Sequence, residues 1–468
     1  MKLKNLLHEI GVEFNEDIDV KGITCDSRKV KKGYLFIAIK GNTFNGNDYV
    51  DKVINKCSYV ISDSISGDKI LYIQNIDELK ATLFYSFYNN PQDKLKIVGV
   101  TGTNGKTSTS MILYKALNKL GKKCMYIGTL GVYDNDYFLN TNNTTPDCEI
   151  LAQEFYKAVK RKTKYVAMEV SSHSISMNRI SNISFTGAVF TNLTHEHLDY
   201  HKTMDNYFLT KKKLFDSLGG ESFAIINSDD QSSNAIISKC IAKIVKYGVT
   251  SSENNISNIS RSLDGVSFNL GKYEGVKSKL LGLVNIYNIS AAILCLIELG
   301  VKENILSTIE DIDTINGRLE KIYSNKFNII VDYAHTPDAM EKVLLEVKPL
   351  VHNKLITLFG CGGNRDKSKR SLMGNIASKY SDIVYITSDN PRNEDPFEII
   401  TNIKNGCLND KNIIIECDRN KAIINALSNM NNGDLLMVLG KGHEEYQIIK
   451  DKKIEFIDKK IIKTWLQI

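Results

Sequence analysis

No stretch of the chain approaches the run of about eighteen apolar residues that a membrane-spanning helix needs. The N-terminus MKLKNLLHEI lacks the long apolar region and small-residue cleavage site of a secretion signal. Those absences point to a cytoplasmic protein with no stable membrane insertion. CxxC spacing is also missing. Nine cysteines (Cys25, Cys57, Cys124, Cys148, Cys240, Cys295, Cys361, Cys407 and Cys417) are scattered along the chain, and an odd total in a long chain argues against a disulfide framework or a zinc knot. They are expected to be reduced. A net charge of +6 is spread over the whole length without a basic stripe, which removes nucleic acid from the expected partners and leaves small anions. Neither a repeat of about twenty to fifty residues nor a low-complexity linker is present, so domain boundaries must be read from changes of pattern.

What is present is ordinary globular composition, with 42% hydrophobic and 24% charged residues in 468, a length that implies several cores. Two pattern changes stand out. At NNPQDK, residues 89–94, a helical reading of ELKATLFYSFY gives way to the apolar strand LKIVGV. At INGRLEKI, residues 315–322, the apolar helix NISAAILCLIELG is followed by the strand FNIIVDY. These cut the chain into 1–92, 93–314 and 315–468. From residue 93 onward the strands YVAMEV, GAVFTNL, KLITLFG, DIVYIT and DLLMVLG alternate with helical stretches. That alternation predicts an α/β fold with mainly parallel sheets and function at the C-terminal strand ends.

The most informative segment is IVGVTGTNGKTSTSMILYKAL, a strand entering a glycine-rich loop and then an amphipathic helix. Gly102 and Gly105 permit the tight turns that aim backbone N–H groups of Thr103, Asn104 and Ser108 at phosphate oxygens. Lys106 would neutralise the β and γ phosphates, and the Thr107 hydroxyl would reach Mg²⁺. The loop is shorter than the common P-loop pattern, but strand, loop and helix occur in the required order, which favours ATP over a plain glycine turn.

This loop, together with NTTPD, MEVSSH, TNLTHEHLDYH, VDYAHTPDA, GCGGNRDKSKR, SDNPRNEDP and GKGHEEYQ, resembles the Mur ligase family nearly end to end. The resemblance implies three domains: a uridine-nucleotide-binding domain over 1–92, a central P-loop-type ATPase over 93–314, and a Rossmann-like amino-acid-binding domain over 315–468. It also implies an activity, the ATP-dependent addition of meso-diaminopimelate to UDP-N-acetylmuramoyl-L-alanyl-D-glutamate in peptidoglycan synthesis. Phosphorylation of a carboxylate and attack by an amine would drive the reaction, and a monomer is expected.

Two polyanions must meet in such a reaction, so divalent ions held by hard oxygen and imidazole ligands are needed. Glu169 ends one predicted strand and His197 follows another, and the resemblance assigns both to Mg²⁺, with two metal sites. HEHLDYH carries three of the chain's eight histidines, and no cysteine accompanies them, which argues against zinc. In such ligases a lysine three residues before a Leu-Phe pair is carbamylated as a second metal ligand. That spacing selects Lys211, although Lys212 and Lys213 keep the alignment open by a residue or two. Carbamylation would require a deprotonated amine. The resemblance further implies that Lys106, Lys211 and His197 serve catalysis, and that Asn285, Asn288, Arg318 and Asp332 close around ATP, with Asp332 suited to a ribose hydroxyl or to capping a turn.

For the nucleotide substrate, CDSRKVKKGYLFIAIKGNTFNG resembles the uridine-binding segment, with Ser27 and the loop Asn42, Thr43 and Phe44 at contact positions. A DSR tripeptide is equally a turn signal. Asn143, Thr144, Thr145, Ser171, Met177 and Arg179 match positions that hold the muramoyl dipeptide. Relatives often place glutamine where Met177 stands, so a polar contact would be lost or supplied elsewhere. In the last domain, Asp389, Asn390, Pro391 and Arg392 with Gly440 and Glu444 resemble the signature of diaminopimelate-adding enzymes. Arg392 would take the amino acid's second carboxylate, which lysine lacks, and Glu444 would face its distal ammonium. Arg365 is the companion arginine, preceded by Asn364 where relatives commonly carry Asp.

Three other readings are open: the same reaction with L-lysine, a folylpolyglutamate- or cyanophycin-type ligase, and a non-catalytic nucleotide-binding module. In the last, Glu169, His197 and Lys211 have no reason to converge.

Overall fold

Each predicted strand from residue 93 onward is a strand in the computed structural model, which describes residues 1–41, 44–251, 253–408 and 412–468. The chain divides into two units, Met1–Asn254 with Ser290–Ile305, and Asn255–Ile289 with Leu306–Ile468. The expected boundary at 92 falls in the short 3-10 turn Pro91–Lys94, and that at 314 falls between the helix Ile305–Glu310 and the strand Glu320–Ser324. Among the described residues no helix is long and apolar enough to cross a membrane.

In the first unit, the strands Gly22–Thr24, Tyr34–Ala38, Tyr59–Ser62 and Ile70–Tyr72 form a parallel sheet in chain order. A larger sheet runs Lys243–Gly248, Phe223–Asn227, Gly187–Phe190, Lys96–Thr101, Tyr165–Glu169 and Cys124–Gly128, all parallel. The antiparallel strands Gly131–Asp134 and Tyr137–Leu139 extend one edge. Lys96–Thr101 lies between Gly187–Phe190 and Tyr165–Glu169, so its C-terminal end, the phosphate loop, emerges beside Glu169 and the segment after Phe190. The helix Ile76–Phe87 packs on the helix Cys148–Lys160, with the Tyr85 and Phe155 rings stacked 6.3 Å apart. N-terminal Leu3, Leu6 and Leu35 consequently share one core with Ile127, Phe155 and Phe190.

The second unit holds a doubly wound sheet in the order Glu320–Ser324, Asn328–Asp332, Leu435–Leu439, Leu355–Phe359, Ile383–Ile386 and Ile413–Ile415, parallel except for the first strand. Its apolar runs are buried on both faces, because alternate residues point to opposite sides. Ile330 packs toward the helices Pro337–Val347, Ser368–Tyr380 and Pro396–Lys404, whereas Ile329 and Val331 pack toward Arg419–Ser428 and Asp458–Leu466.

Candidate active site

The phosphate loop requires glycine at two places. Gly102 has φ +148°, and a Cβ there would lie 1.9 Å from Thr191 Oγ1; Gly105, at φ +86°, caps the helix Lys106–Lys119. Neighbouring side chains brace the loop. Asn104 N–H donates to Asn192 Oδ1 at 2.9 Å, and Thr194 N–H donates to Thr103 Oγ1 at 2.9 Å. Lys106 Nζ donates to the Gly102 and Thr103 carbonyls at 2.8 and 2.7 Å, so its ammonium sits over the loop. Thr107 and Ser108 are buried at the helix start. A ring of backbone amides, a cation and a hydroxyl at a helix N-terminus suits a nucleoside triphosphate.

Glu169, Lys211 and His197 gather beside this loop. Glu169 is fully buried; Oε1 accepts from Tyr126 Oη–H at 2.5 Å and Thr129 N–H at 2.9 Å, and Oε2 from Thr129 Oγ1–H at 3.1 Å. Oε2 keeps a further lone pair. Of the three consecutive lysines, Lys211 and Lys212 are both buried, and Lys211 is the one that reaches the phosphate loop. It is buried, its Nζ donates to Gly102 O at 2.9 Å and stands 4.6 Å from the Tyr207 ring centre. Lys212 instead pairs with Asp216, and Lys213 is exposed. Burial, and then the Lys106 charge, hold the Lys211 amine well below its ordinary range. His197, at φ +56°, has its ring 6.1 Å from Tyr207 and 5.0 Å from His173. Burial lowers its pKa, opposed by Glu196 and reinforced by Lys106 and Lys211, which favours the neutral imidazole that ligates metals. A carboxylate with a spare lone pair, an imidazole and an amine whose pKa values are lowered by burial, and a threonine hydroxyl are the donor types that suit Mg²⁺, the amine once it is a carbamate.

The predicted dipeptide segment adjoins Glu169. Thr145 Oγ1 donates to Glu169 O at 2.8 Å and accepts Ser171 N–H at 3.1 Å, and Thr144 Oγ1 lies 3.2 Å from Thr129 Oγ1. Ser171 caps the short helix Ser172–Ser176. Arg179 donates to Thr145 O at 3.1 Å and pairs with Asp147 at 2.8 Å, while its Nη2 meets Met177 Sδ at 3.3 Å, so the methionine serves the arginine as a weak acceptor. Asn143 is exposed. Ser27 begins a 3-10 turn capped by Asp26, as a turn reading of DSR expects. Phe44 is 74% exposed, and Asn42 and Thr43 lie outside the described residues.

In the second unit the two segments expected to set specificity interlock. Arg392 Nη1 donates to Gly363 O at 2.8 Å, and a Cβ on Gly362 would lie 2.9 Å from that nitrogen and 3.8 Å from Arg365 Cγ. Arg365 itself is exposed. Asn364 keeps a link that an Asp could also make: its Oδ1 accepts Asn393 N–H at 3.1 Å, and its own N–H donates to Glu394. Glu394 also receives buried Arg370 at 2.9 Å. Asn390 Nδ2 donates to Glu444 Oε2 at 2.9 Å, and Lys441 Nζ, fully buried, approaches the same oxygen at 3.1 Å. Gln447 Nε2 donates to Asp389 O at 2.6 Å, a Cβ on Gly440 would meet Asp389 Oδ2 at 2.9 Å, and a Cβ on Gly363 would meet Pro391 O at 1.9 Å. Arg392, Glu444 and Asn390 thus belong to one hydrogen-bonded body.

Asp332 shows the capping chemistry of its two expected roles. Its oxygens accept Leu319 N–H and Ala334 N–H, each at 2.7 Å, which is capping, and each retains a lone pair. Burial raises its pKa, with Arg318 opposing. The Arg318 guanidinium lies 4.8 Å from the Tyr333 ring centre. Asn285 Nδ2 donates to Leu281 O at 2.7 Å, and Asn288 Nδ2 to Asn285 Oδ1 at 3.0 Å. Sequence reasoning missed Tyr126, Thr129, Tyr207 and Glu394, whose partners lie far away in the chain, and Lys441, whose partner Glu444 is only three residues on but whose burial the string does not show.

The Mur ligase middle domain family matches residues 100–296, the Mur ligase glutamate ligase domain 317–442, and the Mur ligase family catalytic domain 19–57. A Cytophaga hutchinsonii protein named UDP-N-acetylmuramoyl-L-alanyl-D-glutamate--2,6-diaminopimelate ligase is 39% identical, covering 100% of this chain and 99% of its own length. The Bacillus cereus protein of that name is 38% identical, covering 99% and 98%. A solved structure of a ligase so named superposes with TM-score 0.73 at 29% identity, covering 100% and 99%. A MurF ligase from Thermotoga maritima in complex with ADP superposes with TM-score 0.65 at 18% identity, covering 91% and 95%, a likeness of fold alone.

Proposed function

The chain belongs to the Mur ligase family, and from that premise we propose that it joins meso-2,6-diaminopimelate to UDP-N-acetylmuramoyl-L-alanyl-D-glutamate, converting ATP to ADP and phosphate. Full-length identity of 39% to a ligase named for that reaction supports the activity. The observation that carries the choice of amino acid is Arg392, oriented by Gly363 O and tied through Asn390 to Glu444. A guanidinium and a carboxylate on one body match the carboxylate and ammonium of diaminopimelate's far end.

The loop from Gly102 to Ser108 would hold the phosphates of ATP, with Lys106 drawing charge from the γ-phosphate as the bond to ADP breaks. The glutamyl carboxylate attacks that phosphorus and becomes an acyl phosphate; the amine, after losing a proton, attacks the acyl carbon, and phosphate leaves. Arg179, Thr145 and Ser171 would orient the peptide for the first step. Thr107, Glu169, His197 and Lys211 as its carbamate would hold Mg²⁺, which supplies screening between the two anionic reactants. Carbamylation joins the neutral Lys211 amine to CO₂ with release of one proton, and the depressed amine pKa supports it. Ser27 would meet the uridine end. We read 1–92, 93–314 and 315–468 as the three functional domains, and the chain as a cytoplasmic monomer. Phosphate release measured with the UDP-muramoyl dipeptide and either diaminopimelate or L-lysine, with product mass, tests the reading: turnover with lysine alone would overturn the choice of amino acid, and none with either would overturn the reaction.

A further inference from the structure

Glu149 belongs to none of the motifs above. It stands in the first turn of the helix Cys148–Lys160, two residues past Asp147, and is buried. Both of its oxygens reach far back along the chain. Oε1 accepts Thr24 Oγ1–H at 2.9 Å, and Oε2 accepts Cys25 N–H at 3.0 Å. Lys29 Nζ stands 3.6 Å from Oε1. Thr24 Oγ1 in turn accepts Asp26 N–H at 3.0 Å, and Asp26 Oδ1 accepts Arg28 N–H at 3.1 Å, closing the turn Ser27–Lys29. A continuous line of hydrogen bonds therefore runs from Glu149 to the turn that carries Ser27. On its other side Glu149 is covalently next to the segment Thr144–Asp147, which Arg179 clasps at Thr145 O and Asp147.

We propose that Glu149 is a positioning residue that fixes the separation between the grip on the nucleotide end of the substrate and the grip on its peptide end. This rests on the reading above, in which Ser27 meets the uridine end and Thr144, Thr145 and Arg179 meet the muramoyl dipeptide. A ligand held at two ends gains from the second grip only while both stay at the separation it spans; play in one lowers the effective concentration of the other. A carboxylate is the group this position needs. Thr24 O–H and Cys25 N–H are both donors, and an ionised carboxylate accepts both while donating to neither. A glutamine would turn an N–H toward one of them, and an alanine would leave both without an acceptor. The shared core already joins the two regions, so Glu149 governs the loop Thr24–Lys29 and not the packing of the sheets.

The test uses the full chain with Glu149→Gln, and with Glu149→Asp, which keeps the charge but shortens the reach by one methylene. With ATP and diaminopimelate saturating, kcat and KM are measured for the UDP-muramoyl dipeptide, together with inhibition constants for two half-ligands, UDP and the muramoyl dipeptide without its nucleotide. KM for the intact substrate should rise about tenfold in Glu149→Gln, as loss of a hydrogen bond to a charged group implies. The half-ligand constants, kcat and KM for ATP should move less than about twofold, because each grip alone stays intact. An unchanged KM overturns the proposal. So does a loss of UDP affinity equal to that of the intact substrate, which would make Glu149 a prop of the uridine segment alone. If Glu149→Gln does not fold, Glu149→Asp carries the same comparison. Failure of the unsubstituted chain to bind or turn over the intact substrate would instead overturn the ligase reading, and this proposal with it.

Discussion

Replacing Arg392 by alanine should convert a selective ligase into a poorly selective one. Arg392 sits at φ +51° and is fixed by backbone on both sides, its N–H donating to Ile448 O at 3.0 Å and its O accepting Lys450 N–H at 2.7 Å. Nη1 is committed to Gly363 O, which orients the guanidinium and leaves Nη2 and Nε as a donor edge. A carboxylate received on that edge would accept two charge-assisted hydrogen bonds, each worth roughly 1.5–3 kcal/mol. The side chain is only half-buried, so solvent screening points to the lower end. A loss of about 3 kcal/mol, or about 150-fold in kcat/KM for diaminopimelate, is expected. L-Lysine offers no second carboxylate, so its kcat/KM should change less than about threefold. Arg392→Lys keeps the charge without the fork and should recover at most about tenfold. Steady-state phosphate release with each amine, checked by product mass, measures both values. A ratio of the two kcat/KM values that is the same in wild type and Arg392→Ala would refute the reasoning.

Lys211→Met should lower kcat by about a thousandfold or more, and ¹³C-bicarbonate NMR should show a carbamate carbon in wild type and Lys212→Met that is absent from Lys211→Met; a signal that persists in Lys211→Met would place the carbamate elsewhere. Gly102→Ala drives a Cβ to within 1.9 Å of Thr191 Oγ1 at a φ of +148°, so the KM for ATP should rise at least about a hundredfold, and nucleotide titration that gives wild-type affinity would contradict the loop's assigned role. His443 is held down to about 3, by burial first and then by Arg318, and its Nδ1 has no partner among the described residues. The unfolded chain takes up a proton near pH 6.5 that the folded chain refuses, so stability should be full above that pH and fall by up to about 1.4 kcal/mol per unit as pH drops toward 3. Denaturant midpoints across that window should show a shallower fall in His443→Gln, and equal slopes would exclude the imidazole as the cause.

What the sequence made legible was local. The order of strand, glycine loop and helix around Lys106 declares itself because the two glycines answer a backbone demand within six residues, and the strands Tyr165–Glu169 and Leu435–Leu439 declare themselves as apolar runs buried on both faces. Lys211, Lys212 and Lys213 are chemically identical in the string, and helix phase separates them: a step of 100° per residue sends one amine under Gly102 O, one to Asp216 and one into water. Asp332 was readable as a cap or as a ligand, and its two 2.7 Å backbone donors show that the same carboxylate can do the first while keeping lone pairs for the second. Glu149, Tyr207 and Glu394 gave no signal because their meaning lies in partners 125, 104 and 24 residues away. Each supports a neighbour that local pattern does mark: Glu149 the turn at Ser27, Tyr207 the loop at Thr103, Glu394 the backbone before Arg365. The residues that local chemistry reveals are thus the ones proposed to touch substrate, and those that fix their separation emerge only when the chain is folded.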